Sequence, residues 1–170
     1  SFFSNEIILK NIDKSFFVSG SFENKNISLE DEIVENFFKT NLSNLDIENL
    51  IFDSKNKFSL KVNRKFKIDD FKFTSEIKLN SLKLMNKLDL KNFFPDIKKK
   101  IDFNNHLIKI NYNKKILTIN GKGNILFQSK DDFIEYNLKR KDKSLDFESK
   151  LSFEKNPLFI DFLGYEKKAN

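Results

Sequence analysis

The chain has 170 residues, 39% of them hydrophobic and 33% charged, which is enough material for one domain with a real core and excludes a disordered tail. Its 31 Lys and Arg against 25 Asp and Glu leave a net charge of +6, but the signs alternate along most segments (Lys72/Glu76/Lys78, Lys130/Asp131/Asp132, Glu148/Lys150/Glu154). Such mixing describes a solvated face and not a nucleic-acid stripe, which needs basic side chains gathered on one surface; the only dense clusters are Lys98–Lys100 and Lys139–Lys143, the latter broken by Asp142. With no cysteine there is neither a disulfide framework nor a thiol nucleophile, and periplasm and cytosol fit equally.

No apolar run approaches the roughly 20 residues that span a bilayer, and the first residues do not show a basic stretch followed by an apolar one. The start at Ser1 suggests a piece of a longer protein. The 21 Phe sit beside abundant Lys, Asn and Ile, all residues with A/T-rich codons, so base composition explains their number and only their placement informs.

In chain order, Glu6–Asn11 and Ser15–Glu23 read as short strands, with Phe16, Val18 and Phe22 on one parity and Phe17 on the other. At Ser28 the period changes: Leu29, Ile33, Val34, Phe37 and Phe38 recur every three to four residues behind a near capping box, which predicts a helix over Leu29–Lys39. Leu42 to Phe52 fits neither template. Lys57–Asn63 and Lys65–Leu84 then alternate as strands through Phe58, Leu60 and Val62 and through Phe71, Phe73, Ile77 and Leu79; a strand from Phe71 to Leu84 would run about 45 Å, which implies a long, wide sheet. Asn86 to Ile101 interrupts the pattern, and its Pro95 predicts one or two short helices capping an edge or end of the sheet.

From Leu107 to Phe153 four alternating runs follow, with hairpin turns expected at Asn113–Lys115, Ser129–Asp131 and Lys141–Ser144. Ile108, Ile110 and Tyr112 lead into Leu117, Ile119, Ile125 and Phe127; then come Ile134, Tyr136 and Leu138, and finally Leu145, Phe147, Leu151 and Phe153. A last apolar stretch, Leu158–Leu163, precedes Gly164 and a charged tail. The expected fold is mainly β, a long, curved antiparallel meander sheet, groove-like, with one or two short helices, because helices and strands do not alternate as a parallel fold requires. Its divisions are 1–56 (strands plus helix), 57–163 (main sheet) and 164–170 (tail).

Chemistry is sparse. The single His106 lies at the start of a strand beside Asp102 and Asn105, and without cysteines it lacks partners for a structural zinc site. Asp69–Asp70 and Asp131–Asp132 read as solvated turn residues. Gly121–Lys122–Gly123 lacks the Lys-Ser/Thr and helix start of a phosphate loop, and glycines within a strand mark a bulge, a bend or a close approach of another chain instead. No catalytic residue, metal ligand or cofactor is expected. What remains is the apolar parity, for which little covering material is in view, and uncovered apolar faces of that size are binding sites.

The long alternating strands, the segment NYNKKILTINGKGNILFQ (Asn111–Gln128) and the ending NPLFIDFLGYEKK (Asn156–Lys168) resemble the C-terminal part of the AsmA-like family, the AsmA, YhdP and TamB type of envelope protein in bacteria with two membranes. The resemblance covers about Phe58 to Lys168 and implies a curved β-groove with an apolar inner surface, no catalysis, and a role in lipid transfer to the outer membrane and in its integrity. It also implies a periplasmic location with an inner-membrane anchor, which is not among these residues. On that reading Phe71, Phe73, Ile77, Leu79, Ile108, Ile110, Leu117, Ile119, Ile125, Phe127, Tyr136, Leu138, Phe147, Leu151 and Phe153 contact lipid acyl chains. The rival expectation is a scaffold or interaction domain with a fully covered core and no lipid ligand. Neither reading fixes an oligomeric state.

Overall fold

The computed structural model describes residues 2–12, 15–28, 46–87 and 89–169. The expected helix at Leu29–Lys39 lies outside them. Eight strands pair in chain order as one antiparallel meander: β1 (Phe2–Ile12), β2 (Ser15–Ser28), β3 (Ile47–Val62), β4 (Ile68–Met85), β5 (Lys100–Asn113), β6 (Ile116–Leu126), β7 (Asp132–Lys141) and β8 (Ser144–Ser152). The mainly β, antiparallel expectation holds, and the sheet does not close into a barrel. The boundary expected at residue 57 falls inside β3, so the N-terminal strands belong to the main sheet. β4 has 18 residues, and at about 3.3 Å each it extends about 60 Å.

Residues 89–99 form turns instead of helices. The amides of Phe93 and Phe94 both bond to the Leu90 carbonyl and that of Ile97 bonds to Phe94, but Pro95 has no N–H to carry the ladder on, so each turn stops where it starts. Among the described residues, the sole helical element is a 3-10 turn at Asp161–Leu163, closed by Gly164 at φ 58°, between two short strands, β9 (Leu158–Ile160) and β10 (Tyr165–Lys167). Part of the expected charged tail is therefore a strand.

Tight hairpin turns form at two of the three expected places, between β5 and β6 and between β7 and β8, while β6 and β7 are joined by the longer bend of residues 127–131. Lys114 and Lys115 both carry positive φ (49° and 62°), as does Asp142 (53°), the conformations tight hairpins require.

Residues paired across an antiparallel ladder point to the same side, so register assigns the faces. Phe73↔Tyr112↔Leu117, Ile77↔Ile108↔Gly121↔Tyr136 and Ile110↔Ile119↔Leu138↔Phe147 run across β4 to β8 on one side. Glu23↔Lys55↔Glu76↔Lys109 and Asp53↔Lys78↔Leu107↔Lys122↔Glu135↔Lys150 run across the other. One face is apolar; the other carries charges of alternating sign.

Simple alternation fails along a line crossing the sheet. Irregularities lie between Asn24 and Ile27 in β2, at Asn80 in β4 and between Asn104 and Leu107 in β5, and there the inward parity shifts: Asn24 to Ile27, Leu79 to Leu82, Phe103 to His106. Asn26 and Asn105 take positive φ (51° and 54°). Asp53 ties two of these bulges together from the charged side: the Asn26 amide donates to its Oδ1 at 2.7 Å and Asn80 Nδ2 to its Oδ2 at 3.4 Å. The Asn26 bond is the main reason the Asp53 carboxyl titrates below its usual range.

Candidate functional site: a half-plugged apolar face

All fifteen residues expected to contact lipid lie on the apolar face, as the pairings of β4 to β8 require, with Phe127 and Phe153 following directly on β6 and β8. They do not share one environment. Leu79, Ile125 and Phe127 are buried, and this corrects their assignment as contact residues: they are core. Leu79 packs with Ile27 and Leu50, surrounded by Ile47, Phe52, Leu82, Phe103 and Ile108. Phe127 lies against Phe94 at 5.0 Å edge-on and against Phe153 at 6.0 Å, and Phe94 stacks on Phe153 at 5.5 Å. Phe153 thus belongs to the same plug.

Hydrogen bonds hold the plug to the sheet end. The Lys98 amide donates to the Phe127 carbonyl and the Phe159 amide to Phe93, while Gln128 Nε2 donates to the Pro157 carbonyl at 2.9 Å. Asn156 accepts from the Lys130 amide at 2.9 Å and donates to Asp132 Oδ2 at 2.7 Å. Asp132 is accordingly buried, not the solvated turn residue expected, whereas Asp131, Asp69 and Asp70 are exposed.

Toward the other end the face opens. Phe73, Ile77, Ile108, Ile110, Leu117, Ile119, Tyr136, Leu138 and Leu151 are half-buried, Phe71 is 38% exposed and Phe147 63%. Phe71 stands 6.5 Å from Phe73 and 5.7 Å from Tyr112, making an aromatic rim. Leu145 and Phe16 extend it and were missed as site residues, although each lies on the inward parity of its strand.

Two features in the middle of the face were not legible as a site. Glycines there are closely covered from neighbouring strands: a Cβ on Gly121 would run into the Tyr136 ring, one on Gly123 into the His106 ring, and one on Gly20 would meet the Glu6 carbonyl at 2.6 Å and the Phe58 ring at 3.0 Å. The groups that approach Gly121 and Gly123 are aromatic side chains of this chain and not another chain. His106, fully buried, sets its Nε2 2.9 Å from the Asn124 carbonyl and its ring edge-on to Phe103 at 5.4 Å; burial pushes its pKa below the ordinary 6.5, and burial likewise raises that of Tyr136. The histidine is a neutral packing residue whose Nδ1 has no partner.

The second feature is a buried polar ladder. Asn24 Nδ2 donates to Ser54 Oγ (2.9 Å), as does Asn56 Nδ2 (2.8 Å), and Ser75 Oγ donates to Asn56 Oδ1 (2.7 Å). These bonds satisfy inward polar groups within an apolar surface, and only Asn24 Oδ1 in this ladder lacks a partner.

On the charged face, two depressions of about 610 and 540 Å³ run between rows of long side chains, the larger bounded by Lys109, Lys122, Glu135 and Lys150 and the smaller by Lys55, Glu76, Lys78 and Lys109. Their floors are the backs of inward-facing residues such as Gly121 and Ile77, and their walls carry both signs of charge. Among the described residues no group of three or more potential ligands could hold a metal ion, and no helix is long and apolar enough to cross a membrane. The class of protein these features define is an open, amphipathic β-meander with one plugged and one open end. No family model, curated protein or solved structure matches the chain.

Proposed function

We propose that the chain is a non-enzymatic module that holds lipid acyl chains on the open part of its apolar face. The observation that supports this most is the continuity of that face across β4 to β8 with large side chains left in solvent, Phe71 and Phe147 among them. Each methylene moved from water onto such a surface contributes about 0.8 kcal/mol, so a chain lying across Ile110, Ile119 and Leu138 needs no specific polar partner. The resemblance to AsmA-like proteins gives the reading its setting: lipid transfer between inner and outer membrane and support of outer-membrane integrity, in the periplasm, with anchoring by segments outside these residues. Alternating charge rows on the opposite face favour a solvated surface over nucleic-acid binding.

Native mass spectrometry of the purified chain, with lipid extraction from the same sample, tests the proposal. Co-purifying phospholipid is expected, falling at least tenfold in Ile119→Asp and in Phe147→Asp. The exposed position of Phe147 keeps the second variant informative if the first fails to fold. A lipid-free, folded wild-type chain would overturn the proposal and favour the scaffold reading.

A further inference from the structure

The turns at the open end of the sheet differ in charge from its body. Residues 63–67, 113–116 and 140–144 join β3 to β4, β5 to β6 and β7 to β8, and hold eight basic side chains and one acidic one, Asp142. All eight are exposed, and among the described residues none is in an ion pair. Asp69 and Asp70 follow on β4, where Asn63 and Lys72 engage them at 2.9 and 3.5 Å. At the plugged end, by contrast, Lys87 pairs with Asp46 and Lys100 with Glu48. The β3–β4 turn also presents apolar groups. Phe66 is 83% exposed at φ 55°, a left-handed conformation that bulky residues rarely take. Asn63 ties the turn that holds it: its carbonyl accepts the Phe66 amide at 3.0 Å, and its Oδ1 accepts the Lys65 and Lys67 amides at 2.9 and 3.1 Å. Ile68, exposed and paired with Val62, carries the apolar face out to this tip.

We infer that this end of the sheet docks on an anionic phospholipid bilayer, with Phe66 entering the interface and the cations of the three turns meeting headgroup phosphates. Cations alone would suit nucleic acid equally. An apolar tip that continues the sheet's apolar face suits a surface that is anionic outside and apolar beneath. The β3–β4 turn reaches furthest, because β4 begins at Ile68 but first pairs with β5 at Phe73. Strands standing oblique to the bilayer bring the other two turns toward it, so Arg64 and Lys65 contribute most and Lys114 and Lys115 less. The inference concerns the turns and does not rest on acyl chains being held along the face.

Vesicle flotation of the 170-residue chain tests this, with circular dichroism to confirm the fold of each variant. Binding is expected to phosphatidylcholine vesicles that contain phosphatidylglycerol, and it should fall at least about tenfold on pure phosphatidylcholine or at high salt. Arg64→Glu/Lys65→Glu should weaken it about tenfold and Lys114→Glu/Lys115→Glu by less, while Lys98→Glu/Lys99→Glu, exposed at the plugged end, should change it by less than about twofold. Phe66→Asn, which suits the left-handed turn, should weaken it about fivefold. Since the chain has no tryptophan, Phe66→Trp gives a direct readout of insertion: its emission should shift to the blue on anionic vesicles. That of Phe162→Trp, at a position 80% exposed beside Asp161, should not. Absence of binding to anionic vesicles, equal binding to neutral ones, equal emission shifts at 66 and 162, or tighter binding to double-stranded DNA at equal phosphate concentration would overturn the inference.

Discussion

The two ends of the apolar face are built from similar residues and end in opposite states. At one end Phe94, Phe127 and Phe153 interlock while Ile27, Leu50 and Leu79 are sealed from water; at the other Phe71, Leu145 and Phe147 stand in solvent with a comparable share of aromatic and aliphatic carbon. Residue type therefore does not decide which part of the face is core. Around Phe127 and Phe153 the difference is made by a segment that folds back: Phe94 lays its ring on both, the Lys98 amide bonds to the Phe127 carbonyl and the Phe159 amide to that of Phe93.

The comparison can be broken most forcefully at the plug. Phe127→Ala removes a buried ring touching two others and should cost about 3–5 kcal/mol in denaturant unfolding. Phe147→Ser, the same class of change at the open end, should stay within about 0.5 kcal/mol. If both cost the same, the division into core and open surface is wrong.

A smaller effect is expected between the ends. Gly123→Ala places a methyl where the His106 ring lies, so the imidazole must move; a loss of about 1–3 kcal/mol is expected, relieved in part by a second change, His106→Ala.

The smallest effect follows from the depressed pKa of His106. Between its folded pKa and 6.5 the unfolded chain holds a proton that the folded chain does not, so stability is complete above about pH 6.5 and falls as pH drops through that window. The slope is at most about 1.4 kcal/mol per pH unit, and thermal melts of His106→Gln should lack it. A wild-type melting curve flat from pH 7 to pH 5 would mean that the imidazole is solvated.

Much of this was legible in the sequence. Period-2 alternation from Lys57 to Phe153 gave the strands, and because β6, β7 and β8 contain no bulge, the parity of Leu117 to Phe127 and Ile134 to Phe153 transferred directly to one face. Bulges hid the rest. Ile27 and Leu82 lie one position out of step with their strands' earlier parity and Phe103 with the later parity of β5, and no local pattern announces that Asn26, Asn80 and Asn105 absorb the extra residue. Burial of Asp132 was equally hidden, because its partner Asn156 lies 24 residues away on a different segment. The plug too is a tertiary event: Phe94 resembles a capping-helix residue until its ring is seen on Phe127 and Phe153.

Site-specific photo-crosslinking in cells, with a benzophenone side chain placed singly along the sheet, tests the central claim most directly. At positions 119, 138 and 147 the account predicts crosslinks to lipid; at 109 and 122 on the charged face, and at 79 within the plug, it predicts none. Lipid adducts spread evenly over both faces, or absent from 119, 138 and 147 in a folded chain, would contradict it.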